Sequence, residues 1–142
     1  MAKILITGSA GFIGFHLAQV MLDNGWQVLG VDAMTDYYDV NLKRRRHAML
    51  SQNEGFSALE TDIRAFEELQ APVMDFAPDV IVHLAAQAGV RYSIENPRAY
   101  IETNLVGTFN IMELARELAV DHLLMASTSS VYGANEVMPF TE

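Results

Sequence analysis

The 142-residue sequence has no cysteine, so disulfides, thiolate metal sites and cysteine nucleophiles are excluded, and the composition suits a reducing compartment. Positive charge is scarce: 9 Lys and Arg against 18 Asp and Glu give a formal net charge of −9. An acidic surface attracts neither phosphate backbones nor anionic lipid headgroups, so no nucleic-acid or membrane partner is expected. No run of ~18 uninterrupted apolar residues is present to span a bilayer. Lys3 leads into a strand pattern without the basic segment, apolar stretch and cleavage site of a secretory leader. These absences set the expectation of a soluble cytoplasmic protein. Internal repeats, low-complexity tracts and linkers are lacking too, and 51% hydrophobic residues suffice for the core of one domain.

Short apolar runs rich in branched residues recur at Ile4–Thr7, Val28–Asp32, Phe56–Asp62, Val80–Leu84 and Leu123–Ala126. Longer segments with helical spacing lie between them. The first predicts a helix with Ile13, Leu17, Val20 and Met21 on its inner face, stopped by Asn24-Gly25. The longest opens at Asn96-Pro97, read as a cap followed by proline at the first helical position, and aligns Tyr100, Asn104, Gly107, Ile111, Leu114 and Leu118. Pro72 predicts a break or kink between Arg64 and Ala77. Strands this uniformly apolar, alternating with helices, predict a parallel sheet covered on both faces: a doubly wound α/β Rossmann fold, here with about five strands.

Gly8, Gly11 and Gly14 follow the first strand at three-residue intervals. Gly8 permits the sharp turn into a helix, Gly11 clears a path for a pyrophosphate, and Gly14 lets the helix lie close. The helix N-terminus then offers unpaired N–H groups to phosphates. Asp32 stands 18 residues beyond Gly14, at the end of the second strand, where a carboxylate accepts both ribose hydroxyls of an adenosine. The pattern predicts dinucleotide binding, with NAD favoured because Asp32 would repel the 2′-phosphate of NADP. The run Lys43-Arg44-Arg45-Arg46 offers cations that could reach such a phosphate, but it lies well beyond the strand end and reads in preference as a solvated helix face. His83, inside a strand pattern and without spaced partner ligands, reads as a core histidine, and no metal site is expected.

"TGSAGFIG" (Thr7 to Gly14), "DYYDVNLK" (Asp36 to Lys43), "HLAAQAGVRYS" (His83 to Ser93), "NPRAYIETNLVGTFNI" (Asn96 to Ile111) and "STSSVYG" (Ser127 to Gly133) together resemble the extended short-chain dehydrogenase/reductase family, in its uronate-epimerase branch of nucleotide-sugar epimerases. The resemblance runs the whole length of the chain. It implies a cofactor site comprising Gly8, Ala10, Gly11, Phe12, Ile13, Gly14, Asp32, Lys43, Asp62, Ile63, Leu84, Ala85, Ala86, Asn104 and Ser127. In it Asp62 and Ile63 flank the adenine and Leu84 to Ala86 line the cofactor. On the residues alone, Asp62 reads equally as a helix N-cap, Leu84 to Ala86 as packing, and Asn104 as the partner of a main-chain group.

The resemblance also implies that Thr128 hydrogen-bonds the reacting sugar oxygen, which makes it the candidate catalytic residue, and that Gln87, Arg91, Ser129 and Ser130 contact substrate. Related dehydratases carry an Asp-Glu pair at the positions of Ser129 and Ser130. Two serines cannot exchange protons near neutral pH, so a dehydratase is not expected. The clustered hydroxyls and Arg91 suit a carboxylate-bearing sugar such as UDP-glucuronate, and a capping loop with a solvated arginine is the plain alternative.

The family's reaction passes hydride from C4 to NAD and back to the other face of a 4-keto sugar, using a Tyr-x-x-x-Lys pair. No tyrosine of this chain has a lysine four residues later. Ala33-Met34 stands where the family commonly has a ribose-contacting asparagine. The resemblance therefore implies the amino-terminal NAD-binding part of an epimerase, inactive alone and self-associating through its apolar surfaces. The alternatives are part of a UDP-glucuronate decarboxylase, part of another nucleotide-sugar epimerase, or a non-catalytic NAD-binding module.

Overall fold

Each apolar run becomes a strand in the computed structural model, which describes residues 1–141. The strands are β1 (Lys3–Thr7), β2 (Gln27–Asp32), β3 (Phe56–Glu60), β4 (Val80–His83) and β5 (His122–Met125), all parallel in the order β3-β2-β1-β4-β5. The order reverses between β1 and β4, so the loops leaving their carboxyl ends part to opposite faces and leave a crevice. Helices α1 (Phe12–Asp23) and α2 (Val40–Leu50) cover one face, and α3 (Phe66–Phe76) and α6 (Thr108–Leu118) the other. Between β4 and α6 lie two short helices, α4 (Val90–Glu95) and α5 (Pro97–Tyr100), and a π-helical turn over Ile101–Gly107.

Alternation along the strands feeds two cores. Ile4, Ile6, Val28 and Val82 pack on Phe15, Ala18, Leu22 and Leu50, whereas Leu5, Leu29, Val31 and Ile81 pack on Leu69, Val73, Ile111 and Leu114. The doubly wound expectation is met, but uniform burial belongs only to β1, β2 and β4. At one edge of the sheet, β3 buries Phe56 and exposes Ser57, Ala58 and Glu60, and it ends at Glu60 rather than Asp62. At the other edge, β5 is mostly exposed and spans His122–Met125. Among the described residues no helix is long and apolar enough to cross a membrane.

Three local expectations are corrected. Helix α1 turns Gly14, Phe15, Ala18 and Leu22 inward, leaving Ile13 66% and Val20 52% exposed. Its rotation is set by a backbone approach, because a Cβ on Gly14 would overlap the carbonyl oxygen of Gly8. Leu17 and Met21 pack only at the margin, and Gly25 ends the element at φ +79° as expected. Helix α3 runs unbroken through Pro72. The proline withholds one N–H at about 3 kcal/mol, and full burial of Leu69 and Val73 offsets this at roughly 1.5–3 kcal/mol each. Pro97 does occupy the first helical turn, but the Asn96 side chain caps nothing and donates to Tyr92 Oη at 2.9 Å. The predicted stripe holds, with Gly107, Ile111 and Leu114 buried and Tyr100, Asn104 and Leu118 half-buried.

Candidate functional site

Two cavities lie side by side over the carboxyl edge of the sheet and share the segment Leu84–Ala88 as a common wall. The first, about 440 Å³, lies among Gly8, Gly11, Asp32, Lys43, Asp62, Ile63 and Leu84 to Gln87. The second, about 790 Å³, is lined by His83, Leu84 to Gln87, Asn104, Thr108, Ser127 and Thr128. β1 and β4 place the two loops that meet here: Gly8 has φ +71°, and a Cβ on it would stand 3.0 Å from Ala85 N. The β1 turn therefore fits against the β4 loop only without a side chain at Gly8.

Asp32 is 8% exposed. Its Oδ2 accepts from Ala10 N at 3.1 Å and its Oδ1 from Met34 N at 2.9 Å, and Oδ1 lies 3.9 Å from Lys43 Nζ. Lys43 is no part of a solvated face. It is 5% exposed, donates to Thr35 O and Oγ1 at 2.9 and 3.1 Å, and sits 4.5 Å from the centroid of the Tyr38 ring. Burial pushes the Tyr38 hydroxyl up from its ordinary pKa, with the Asp32 charge adding to this and Arg46 opposing it. Arg44 and Arg45 point outward, Arg44 pairing with Glu60, whereas Arg46 turns inward. Spacing i, i+3 and i+4 for Lys43, Arg46 and His47 on α2 is the signal in the sequence that separates the inward cations from the outward ones.

Asp62 accepts from the Arg64 main-chain N–H and Nε through Oδ1, at 2.9 Å each, and from Nη2 through Oδ2 at 2.7 Å. Burial raises its pKa, but the Arg64 bonds and charge outweigh that and hold the carboxyl below its usual range. Helix α3 begins after Ala65, without a side-chain cap. Asn110, which the sequence reading missed, donates to the carbonyls of Ile63 and Arg64 and fixes this loop.

Asn104 reaches the shared wall as a clamp: its Oδ1 accepts from Gln87 N at 2.8 Å and its Nδ2 donates to Gln87 O at 3.0 Å. Both amide groups are thus engaged by the main chain, the plainer of the two readings. The π-helical turn around it is an irregularity frequent at functional sites.

His83 is a core residue, 5% exposed, joining Thr7 to Thr108 through Thr7 Oγ1···Nδ1 at 2.7 Å and Nε2···Thr108 Oγ1 at 3.0 Å. Burial lowers its pKa. Thr7 Oγ1 also accepts the N–H groups of Leu84 and Ala85, each at 3.1 Å. Its own proton therefore points at Nδ1, which assigns the neutral Nε2–H tautomer to the ring.

Other expected residues lie off the cavities. Ala10 and Gly14 are buried behind the turn, whereas Phe12 and Ile13 are 68% and 66% exposed on the first turn of α1. Ser129 and Ser130 are exposed in a 3-10 turn over Ser129–Tyr132, capped by Thr128. The Arg91 side chain is 96% exposed and lies 3.9 Å from Glu95. Among the described residues no three His, Asp or Glu side chains gather as a metal site.

A parallel sheet whose order reverses above a glycine-rich turn defines a Rossmann-type α/β domain. The chain belongs to the GDP-mannose 4,6 dehydratase family, whose model matches residues 5–142. It is 55% identical over 140 residues to a probable UDP-glucuronate 4-epimerase of Rhizobium meliloti (strain 1021), covering 99% of this chain and 41% of the relative. It is 43% identical over 142 residues to a UDP-glucuronate 4-epimerase of Thermodesulfobacterium geofontis (strain OPF15), covering 100% of this chain and 44% of the relative. Among solved structures it is similar to the UDP-glucuronic acid 4-epimerase of Bacillus cereus in complex with UDP-glucuronic acid and NAD. That match has a TM-score of 0.86 and 36% identity, over 95% of this chain and 43% of the other. The chain thus spans less than half the length of these relatives, and the resemblance to nucleotide-sugar epimerases read from the sequence is borne out.

Proposed function

We propose that the chain is the NAD-binding part of a nucleotide-sugar epimerase that inverts C4 of a UDP-sugar, UDP-glucuronate in particular. The carrying observation is the continuity of the two cavities, with the glycine turn and Asp32 at one end, Thr128 at the other and Leu84 to Gln87 between. The residues fit a dinucleotide. Cβ atoms at Gly8 and Gly11 would close on neighbouring backbone, helix α1 starts without a side-chain cap, and a carboxylate lines the cavity. NAD bound there supplies a hydride acceptor and donor.

The chain's own residues bind and orient. Asp32 accepts the ribose hydroxyls, and Asp62 keeps a lone pair on Oδ2 for the adenine amino group while Ile63 packs on the ring. Leu84, Ala85 and Ala86 exclude water from the cofactor, and Asn104 holds Gln87 in the wall between the cavities. Thr128, beside Ser127, donates to the sugar oxygen. Ser129, Ser130 and Arg91, exposed as they are, remain available for a carboxylate or diphosphate. Two serines at the acid and base positions of a dehydratase support inversion over water elimination. The chain lacks a Tyr-x-x-x-Lys pair, so it binds without turning over.

Its setting in this proposal is the cytoplasm, as a homo-oligomer. Ile101, Leu105, Phe109 and Met112 support self-association, being 46% to 61% exposed along the π-helical turn and α6. Calorimetric titration tests the cofactor assignment: NAD binds, NADP binds at least tenfold more weakly, and Asp32→Ala abolishes the difference. Equal affinity for both in the unaltered chain overturns it.

A further inference from the structure

Glycines make the β1–α1 turn possible, but Gly8 and Gly11 bring no side chains to hold it, and glycine gives up more conformational freedom than other residues when fixed. The two residues between them are nevertheless 0% exposed and fastened from outside the turn. Arg46 Nη1 donates to Ala10 O at 2.9 Å, His47 Nε2 and Ser9 Oγ are 2.8 Å apart, and Ala10 N donates to Asp32 Oδ2 at 3.1 Å. Because a peptide unit is planar, bonds at Ala10 N and Ala10 O fix the two consecutive planes that lead into Gly11. Arg46 and His47 come from neighbouring positions of α2, and His47 is 7% exposed, its ring T-shaped to that of Phe56 with centroids 5.5 Å apart.

The geometry points to Arg46 and His47 as positioning residues that hold the Gly8–Gly14 turn in the shape that receives a diphosphate. This rests on the dinucleotide reading above. Neither side chain touches the ligand in this role: Arg46 acts through the Ala10 carbonyl and His47 through the Ser9 hydroxyl. The guanidinium also sets a positive charge beside the turn, in a chain of net charge −9. Adenosine, which has no diphosphate, reports on the rest of the site, so the role predicts a loss confined to ligands that carry one.

The test combines amide hydrogen exchange with titrations of NAD, ADP-ribose and adenosine into the unaltered chain, Arg46→Met, Arg46→Lys and Ser9→Ala. In Arg46→Met and Ser9→Ala, exchange at Ala10 and Gly11 is expected to accelerate about tenfold, with Leu5 and Ile81 unchanged as controls for the core. NAD and ADP-ribose weaken about tenfold, the loss of roughly one hydrogen bond to a charged group, while adenosine binds as before. Arg46→Lys recovers part of the affinity. Should Arg46→Met fail to fold, Ser9→Ala carries the same comparison with a smaller change. Equal weakening of all three ligands, or unchanged NAD affinity in both variants, overturns the positioning role alone. An unaltered chain that binds neither NAD nor ADP-ribose overturns the cofactor reading, and the positioning role with it.

Discussion

The two cavities meet along one wall and differ in what surrounds them. Around the first, polar groups are satisfied within the chain before any ligand arrives: Asp32 holds two backbone N–H groups, Lys43 is buried on Thr35, and Ser9 is paired with His47. Beside the second, outside its lining, the hydroxyls of Ser129 and Ser130 and the Arg91 guanidinium are exposed, and β5, the strand before the serines, is exposed at three of its four residues. Preorganised groups bind with little ordering cost, whereas exposed side chains must be ordered when a ligand arrives. The first cavity is therefore a mould, and the floor and wall of the second share that order through the His83–Thr108 and Asn104–Gln87 bonds, whereas the serine turn and Arg91 beside it are ordered only by what they contact.

The largest effect that would sharpen this contrast lies in the sheet. Ile81→Ala in β4, fully buried, is expected to destabilise by about 2–5 kcal/mol in urea unfolding, through lost burial and the cavity left behind. Leu124→Ala in β5, at 47% exposure, should destabilise by less than about 1 kcal/mol. Equal losses would break the distinction between the halves. The wall between them comes next: Asn104→Ala removes both bonds to Gln87, for about 1–2 kcal/mol. The same change should accelerate amide exchange at Gln87, and a protected Gln87 amide in the variant would show that the wall stands without its clamp. Smallest is the approach to β5, where Ala119 ends α6 at φ +49° and is exposed. Ala119→Gly should stabilise by about 0.5–1 kcal/mol, read as a rise in melting temperature of a few degrees. A fall instead would mean that the backbone there is not strained.

The glycine spacing, the apolar strand runs and the stripe from Tyr100 to Leu118 were legible because each is a local pattern with one physical meaning. The rotation of α1 was not, since a single contact without a side chain, Gly14 against Gly8, outweighed four larger residues. Pro72 misled for the converse reason: its penalty is local, and the burial of Leu69 and Val73 that offsets it is tertiary. Lys43 reads as surface by residue type within its basic run; its spacing with Arg46 and His47 is what marks it as inward, and Thr35 and Asp32 hold it there. Of the expected residues that line the first cavity, Asp32 was legible from its position after the glycine triplet, whereas Asp62 and the Leu84–Ala86 segment followed only from the family resemblance. Thr7, His83 and Thr108 were not seen as a unit, because partners 76 and 25 residues apart leave no common pattern.

That unit gives the floor of the crevice a direction. With both acceptor positions of the Thr7 hydroxyl taken by Leu84 and Ala85, its hydrogen has one destination, and the imidazole beyond it must pass its own hydrogen to Thr108. Reversing the order would displace one of the two main-chain donors from the Thr7 hydroxyl, so the three side chains form a polarised rod rather than a relay. Such a rod transmits a field without conducting a proton. A charge that develops above Thr108 is felt at the β1 turn as polarisation alone, and ring ¹⁵N shifts that stay at the Nε2–H tautomer through neutral pH would register the rod as an insulator.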